Sequence, residues 1–222
     1  QWKWAEYKEN DKTIYKPIPK DRDQAFSKYD GVAFKIMINI PMIRHMKSFD
    51  EDIKNVKWLN MEPYPQDLIF LKKTHQEDWL AGAKYIQDHL TDADIDAAFD
   101  NLPKEVQDDT IEDIKAKLKI RKSKLQTYAN TYFEVLQDKV PLAGTINEDK
   151  FVVTKGNGTV EVKQYQINKD GSEDLVFQKI YNDKHTKEIW LFGLEDDDIY
   201  EVSGKGKSKI NIRLIGCYNH DT

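Results

Sequence analysis

Two groups of carboxylates in this sequence have the residue types and spacing to do chemistry. Asp21 and Asp23 stand two apart in "PIPKDRDQAF", residues 17–26, just after a run that reads as a strand. Two acids at i and i+2 lie near one strand end. Hard oxygen ligands there suit Mg²⁺ or Mn²⁺, ions that hold substrate phosphates. Kinases hold a metal with one strand-end Asp and keep the catalytic base on a separate upstream loop. The same Asp21-Arg22-Asp23 triplet also reads as a salt-bridged turn, and spacing leaves both readings open.

The second group is Asp196-Asp197-Asp198 in "LFGLEDDDI", residues 191–199. That segment repeats without a gap as "LIGCYNHDT", residues 214–222. Gly193 matches Gly216 and Asp198 matches Asp221. Glycine allows a tight turn at positive φ, and Asp ties the following turn by accepting backbone N–H bonds. This is the logic of a parallel β-helix or β-roll. Calcium-binding rolls repeat G-G-x-G-x-D-x-U-x. Gly193 and Asp198 fit the first and sixth places, but Leu194 and Asp196 stand where glycine belongs. Asp198 and Asp221 are therefore calcium candidates alongside a metal-free stack of turns.

Other site chemistries find no pattern. His45, His75, His89, His185 and His220 are scattered, without H-x-H or H-E-x-x-H spacing. There is no G-x-S-x-G elbow, and Cys217 has no catalytic partner in sequence. Neither glycine-rich phosphate loop occurs. "NGT" at 157–159 matches a glycosylation sequon, but a hairpin tip accounts for its Asn and Gly.

The elements that must position these residues fall into three zones. Residues 1–31 predict a hairpin turning at Asn10-Asp11, then the acidic stretch. Residues 32–140 predict helices. "HQEDWLAGAKYIQDHL" sets Trp79, Ala83, Ile86 and Leu90 at helical spacing, and Thr91 with Asp94 forms a capping pair. "TIEDIKAKLKIRKSKLQTYANTYFEVL" predicts one long helix capped at Thr110. Its stripe includes Ile111, Ile114, Leu118, Leu125, Tyr128, Tyr132 and Leu136. Lys115, Lys119 and Lys122 lie off that stripe, on a solvated or an anion-facing side. From 141 the period becomes two, with turns at Gly156-Asn157-Gly158 and Asp170-Gly171. The boundary falls near 140–150, giving a helical domain over 1–140 and an all-β domain over 145–222.

The chain has 222 residues and a net charge of −5, the wrong sign for a dedicated nucleic-acid binder. One cysteine excludes a disulfide framework or a cysteine-based zinc site within it. No stretch approaches the roughly 18 apolar residues of a membrane helix, so no direct membrane insertion by this segment is expected. No signal peptide is visible, and the start at Gln1 in "QWKW" points to a piece of something longer.

Four blocks carry a family resemblance: "PIPKDRDQAFSKYDG", "WLAGAKYIQDHLTDADIDAAFDNLP", "IKAKLKIRKSKLQTYANTYFEVL" and "KEIWLFGLEDDDIYEVSGKGKSKINIRLIGCYNHDT". In this order they resemble a region of long Bacteroidetes cell-envelope proteins. Those proteins join a calcineurin-like metallophosphoesterase domain, a middle region like this one, and a surface-antigen-type outer-membrane β-barrel. Within the first block, Asp21, Asp23, Ala25 and Phe26 resemble the D-x-D-x-a-F signature of spore-coat-protein-H-type atypical kinases. The resemblance implies a kinase C-lobe remnant, with Asp21 as a Mg or Mn ligand and Asp23 as a second ligand or orienter. The catalytic loop and nucleotide lysine of such kinases have no counterpart in this chain.

Together these readings predict an α+β chain, with a helical, kinase-C-lobe-like part followed by an all-β part built as a β-roll or small sandwich. The expected role is a non-catalytic connector or scaffold in a cell-envelope metallophosphoesterase-type protein, its partners being other domains of the same polypeptide. The alternatives are a part of a kinase-like phosphotransferase with a D-x-D metal site, and a calcium-stabilised β-roll surface module.

Overall fold

The computed structural model describes residues 2–10, 12–20, 25–29, 31–32, 37, 40 and 46–216. The fold is α+β: helices occupy the middle of the chain and strands its C-terminal part. The element order is β1 (Trp2–Glu9), β2 (Lys12–Pro19), α1 (Val56–Leu59), α2 (Tyr64–Phe70), α3 (Gln76–His89), α4 (Asp92–Ala97), α5 (Asp109–Ser123), α6 (Leu125–Gln137), β3 (Lys139–Ala143), β4 (Asp149–Lys155), β5 (Thr159–Ile167), β6 (Glu173–Asn182), β7 (Glu188–Phe192), β8 (Ile199–Ser203) and β9 (Asn211–Ile215). No helix among the described residues is long and apolar enough to cross a membrane.

The chain divides into two compact units. One comprises Gln1–Pro65 and Gln76–Tyr132, the other Gln66–His75 and Phe133–Thr222.

In the first unit, β1 and β2 pair antiparallel from Trp2↔Pro19 to Glu9↔Lys12. Asn10 adopts φ +50°, a conformation that Asn tolerates because its short amide bonds locally. The capping pair forms at the start of α4. Thr91 Oγ1 accepts from Asp94 N at 3.1 Å, and Asp94 Oδ2 accepts from Thr91 N at 2.8 Å.

The long helix expected from Thr110 is instead two helices. Lys124 lies between them at φ −96° and ψ 4°, with its N–H turned to the carbonyls of Ile120 and Arg121. Ser123 Oγ also donates to the Ile120 carbonyl, at 2.7 Å, which draws that oxygen away from the regular helical ladder. α5 buries no residue completely, whereas α6 buries Tyr128, Tyr132 and Leu136. The break lets α6 turn its own stripe inward. The N-cap also moves: Asp108, not Thr110, is the extended cap residue, and its Oδ1 accepts from Thr110 N at 2.9 Å. Lys115, Lys119 and Lys122 pair with Glu112, Asp96 and Asp92.

The second unit holds two sheets around one core. A three-stranded sheet has the order β3-β7-β9 and is wholly parallel. A four-stranded sheet has the order β6-β5-β4-β8, with β4 and β8 parallel. The chain therefore coils twice through the same path. β3 leads through a turn to β4, and β7 leads through a turn to β8. The β5–β6 hairpin is inserted into the first coil. This is the stacking of a β-roll, with Gly158 at φ +70° and Gly171 at φ +80° making the hairpin turns.

Period-two alternation fills the core. Val140, Leu142, Ile189 and Leu191 face Phe151, Val153, Val160 and Val162 from the opposite sheet. Each fully buried side chain of this size contributes about 1.5–3 kcal/mol. Lys179 of β6 is also buried. Its Nζ donates to the Thr74 carbonyl at 2.8 Å and lies over the rings of Phe133 and Tyr181. That contact attaches the segment 66–75 to this unit.

Candidate functional site

The parallel register places the first two repeated turns side by side. Leu142, Leu191 and Leu214 are neighbours across the three-stranded sheet. Counting forward from each leucine gives Gly144, Gly193 and Gly216, then Asp149, Asp198 and Asp221. The sequence thus holds three copies of Leu-x-Gly-x4-Asp, and the first, residues 142–149, was not among the repeats read from sequence. Its signal was available in that spacing. The inserted hairpin and the divergent residues between Gly144 and Asp149 hid it.

The first two copies use their glycine and aspartate in the same way. A Cβ on Gly144 would lie 2.8 Å from Asp149 Oδ2, and one on Gly193 would overlap the Asp198 carboxylate. Both carboxylates are buried. Asp198 Oδ1 accepts the main-chain N–H of Asp149 at 2.9 Å. Asp149 Oδ2 accepts from the Thr145 amide and hydroxyl, and its Oδ1 accepts from Gln164 Nε2 at 3.1 Å. The Asp198 bond joins one coil to the next, and the Thr145 and Gln164 bonds hold the turn of the first coil. Leu194 and Asp196, the residues standing in glycine places, adopt φ +90° and +67°. The backbone therefore takes the turn geometry of a glycine-rich roll without its glycines.

Of the metal candidates, Asp198 is placed in this turn stack. Asp21, Asp23 and Asp221 lie outside the described residues, as do His45, Cys217 and His220. Among the described residues no three His, Cys, Asp or Glu side chains are grouped to hold a metal ion. His89 Nδ1 contacts the Tyr85 carbonyl at 2.8 Å, and its ring stacks on Tyr85.

The described end of the "DRDQAF" block leads to a second feature. Phe26 packs edge-on to Phe49 at 4.9 Å, and Ala25 lines a cleft of about 620 Å³ in the first unit. Arg121 of α5 forms part of the same wall. Its Nε donates to the Asp50 carbonyl at 2.5 Å, and its guanidinium lies 4.0 Å from the Phe49 ring centre. Burial lowers the Arg121 pKa from its ordinary value. Asp52, on the same cleft, accepts from Tyr128 Oη at 2.6 Å and pairs with Lys124 at 3.3 Å. The Tyr128 hydrogen bond holds the Asp52 carboxyl below the usual carboxylate range. Burial, then Asp52 itself, pushes the Tyr128 phenol up. Sequence reading assigned none of Arg121, Asp52 or Tyr128 to a site, because they meet across some seventy residues of chain.

Comparison with known proteins gives no match to a family model, to a curated protein or to a solved structure.

Proposed function

We propose that this chain is a non-catalytic connector or scaffold region of a bacterial cell-envelope, metallophosphoesterase-type protein, packed against other domains of the same polypeptide. The observation that carries this reading is the asymmetry of the three-stranded sheet. Gly144 N bonds to Phe192 O, so the N–H groups of alternate β3 residues point toward β7 and that of position 141 points away. Position 141 is proline, which blunts the outer edge of β3. At the opposite edge, Asn211 N bonds back to Lys187 O, so the amides of Ile212 and Leu214 face outward. Leu214 shares a face with Leu142 and Leu191, which are 1% and 0% exposed, yet is itself 46% exposed.

One edge of the stack thus lacks a donor at its middle, and the other offers both backbone groups and an apolar side chain. A neighbouring domain that continues the ladder on β9 would cover Leu214 and complete the pattern set by the two inner strands. The buried carboxylates of Asp149 and Asp198 support the non-catalytic half of the reading, since both accept hydrogen bonds that hold the turns.

Hydrogen exchange tests the connection. In this chain alone the amides of Ile212 and Leu214 exchange fast; in the longer polypeptide they become protected. Equal, fast exchange in both removes β9 as the contact. Binding of Mg²⁺-nucleotide to the longer polypeptide, abolished by Asp21→Ala or Asp23→Ala, would overturn the non-catalytic reading in favour of the kinase-like one.

A further inference from the structure

The described lining of the cleft beside Arg121 differs in charge sign from the chain as a whole. Among the described residues, the cations Arg121, Lys47 and Lys54 line it, against the carboxylates Asp50 and Asp52. Asp52 is already engaged by Tyr128 and Lys124. Lys47 and Lys54 make no ion pair among the described residues. The described part of its lining therefore carries one more positive than negative charge, within a protein of net charge −5.

Arg121 is also held in place before any ligand arrives. Its Nε bond to the Asp50 carbonyl and its stacking on Phe49 fix the plane of the guanidinium. The terminal nitrogens have no hydrogen-bond partner among the described residues. A fixed guanidinium fork with both terminal nitrogens unmatched fits a planar or tetrahedral oxyanion, and little side-chain freedom remains to be lost on binding. Phe49, Ile53 and Leu59 give the wall an apolar part, beside the polar Ser48 and Asn55. A volume of about 620 Å³ suits a small organic molecule.

We propose that this cleft binds an amphipathic organic anion. Its acidic head sits on the terminal nitrogens of Arg121, within the field of Lys47 and Lys54, and its apolar body lies against Phe49 and Ile53. A cation is disfavoured beside the permanently charged guanidinium of Arg121. A purely polar anion would leave the apolar wall in water. The site is independent of the connector role, because it lies in the other unit of the chain.

Anilinonaphthalene sulfonate, an aromatic body with one anionic head, is a direct fluorescent probe, and phenylnaphthylamine is its counterpart without the sulfonate. The full chain binds the sulfonate saturably at one site and the neutral compound more weakly. Arg121→Gln weakens sulfonate binding by about tenfold or more, the loss expected for a charge-assisted hydrogen bond, and leaves binding of the neutral compound unchanged. Because Arg121 also supports the fold, the double variant Lys47→Gln/Lys54→Gln provides a second measurement. It keeps the melting temperature and weakens sulfonate binding several-fold, with a shallower dependence on salt. Absence of saturable sulfonate binding overturns the proposal. So does equal affinity in wild type and the lysine double variant, or a neutral compound that binds as tightly as the sulfonate.

Discussion

The main-chain N–H of Asp149 is bound by the carboxylate of Asp198 at 2.9 Å, across 49 positions of sequence. The two residues occupy equivalent places in successive coils, each following a glycine that has no room for a side chain. This bond makes the turn of the second coil a template for the turn of the first.

Gly193→Ala and Gly144→Ala should each destabilise the protein, because the added methyl meets the Asp198 or the Asp149 carboxylate. The expected loss is about 1–3 kcal/mol, the range for a group forced into a packed interior. Urea unfolding followed by tryptophan fluorescence measures it. Gly82→Ala is the contrast: nothing lies within 4 Å of the new atom and the site is inside α3, so this change should stabilise by up to about 1 kcal/mol. Gly144→Ala and Gly193→Ala variants as stable as the wild type would show that the turns do not depend on glycine.

Leu194→Gly should raise stability. Leu194 is exposed and held at φ +90°, where a side chain is strained and glycine is not. Relief of about 1–2 kcal/mol is partly offset by the greater freedom of glycine in the unfolded chain, leaving a gain below about 1 kcal/mol. A lower denaturation midpoint in the variant would contradict the turn geometry.

Tyr181→Phe should also stabilise. Tyr181 is 2% exposed, and its hydroxyl has no hydrogen-bond partner among the described residues. Burial raises its pKa, so the phenol stays neutral through the ordinary pH range. Removing a buried, unsatisfied hydroxyl recovers about 1 kcal/mol or more. Thermal melting decides it, and a destabilised variant would mean that the hydroxyl has a partner after all.

Asp52→Asn should lower the melting temperature at neutral pH, and the deficit should fade in acid. The Asp52 pKa is depressed in the folded protein, mainly by the Tyr128 hydrogen bond. Its contribution is therefore present above the ordinary carboxylate value of about 4 and is lost as pH falls through the lower folded value. Melting curves of both proteins from neutral to strongly acidic pH test this. A gap that is constant with pH would remove the carboxylate's charge from the explanation.

The sequence by itself determined the features that depend on neighbours along the chain. The hairpins at Asn10, Gly158 and Gly171, the Thr91–Asp94 cap and the change from helical to alternating period are set by backbone conformation and local hydrogen bonds. The Gly193/Gly216 and Asp198/Asp221 repeat was legible because its copies have the same spacing. Tertiary structure alone decided the rest. It divided the expected single helix at Lys124, because α6 must turn its tyrosines inward. It made Asp149 the partner of Asp198, although the β5–β6 hairpin separates them in sequence. It assembled Arg121, Phe49 and Asp52 around one cleft. In each case the contact closes a long loop, and only burial of a shared core fixes which distant residues meet.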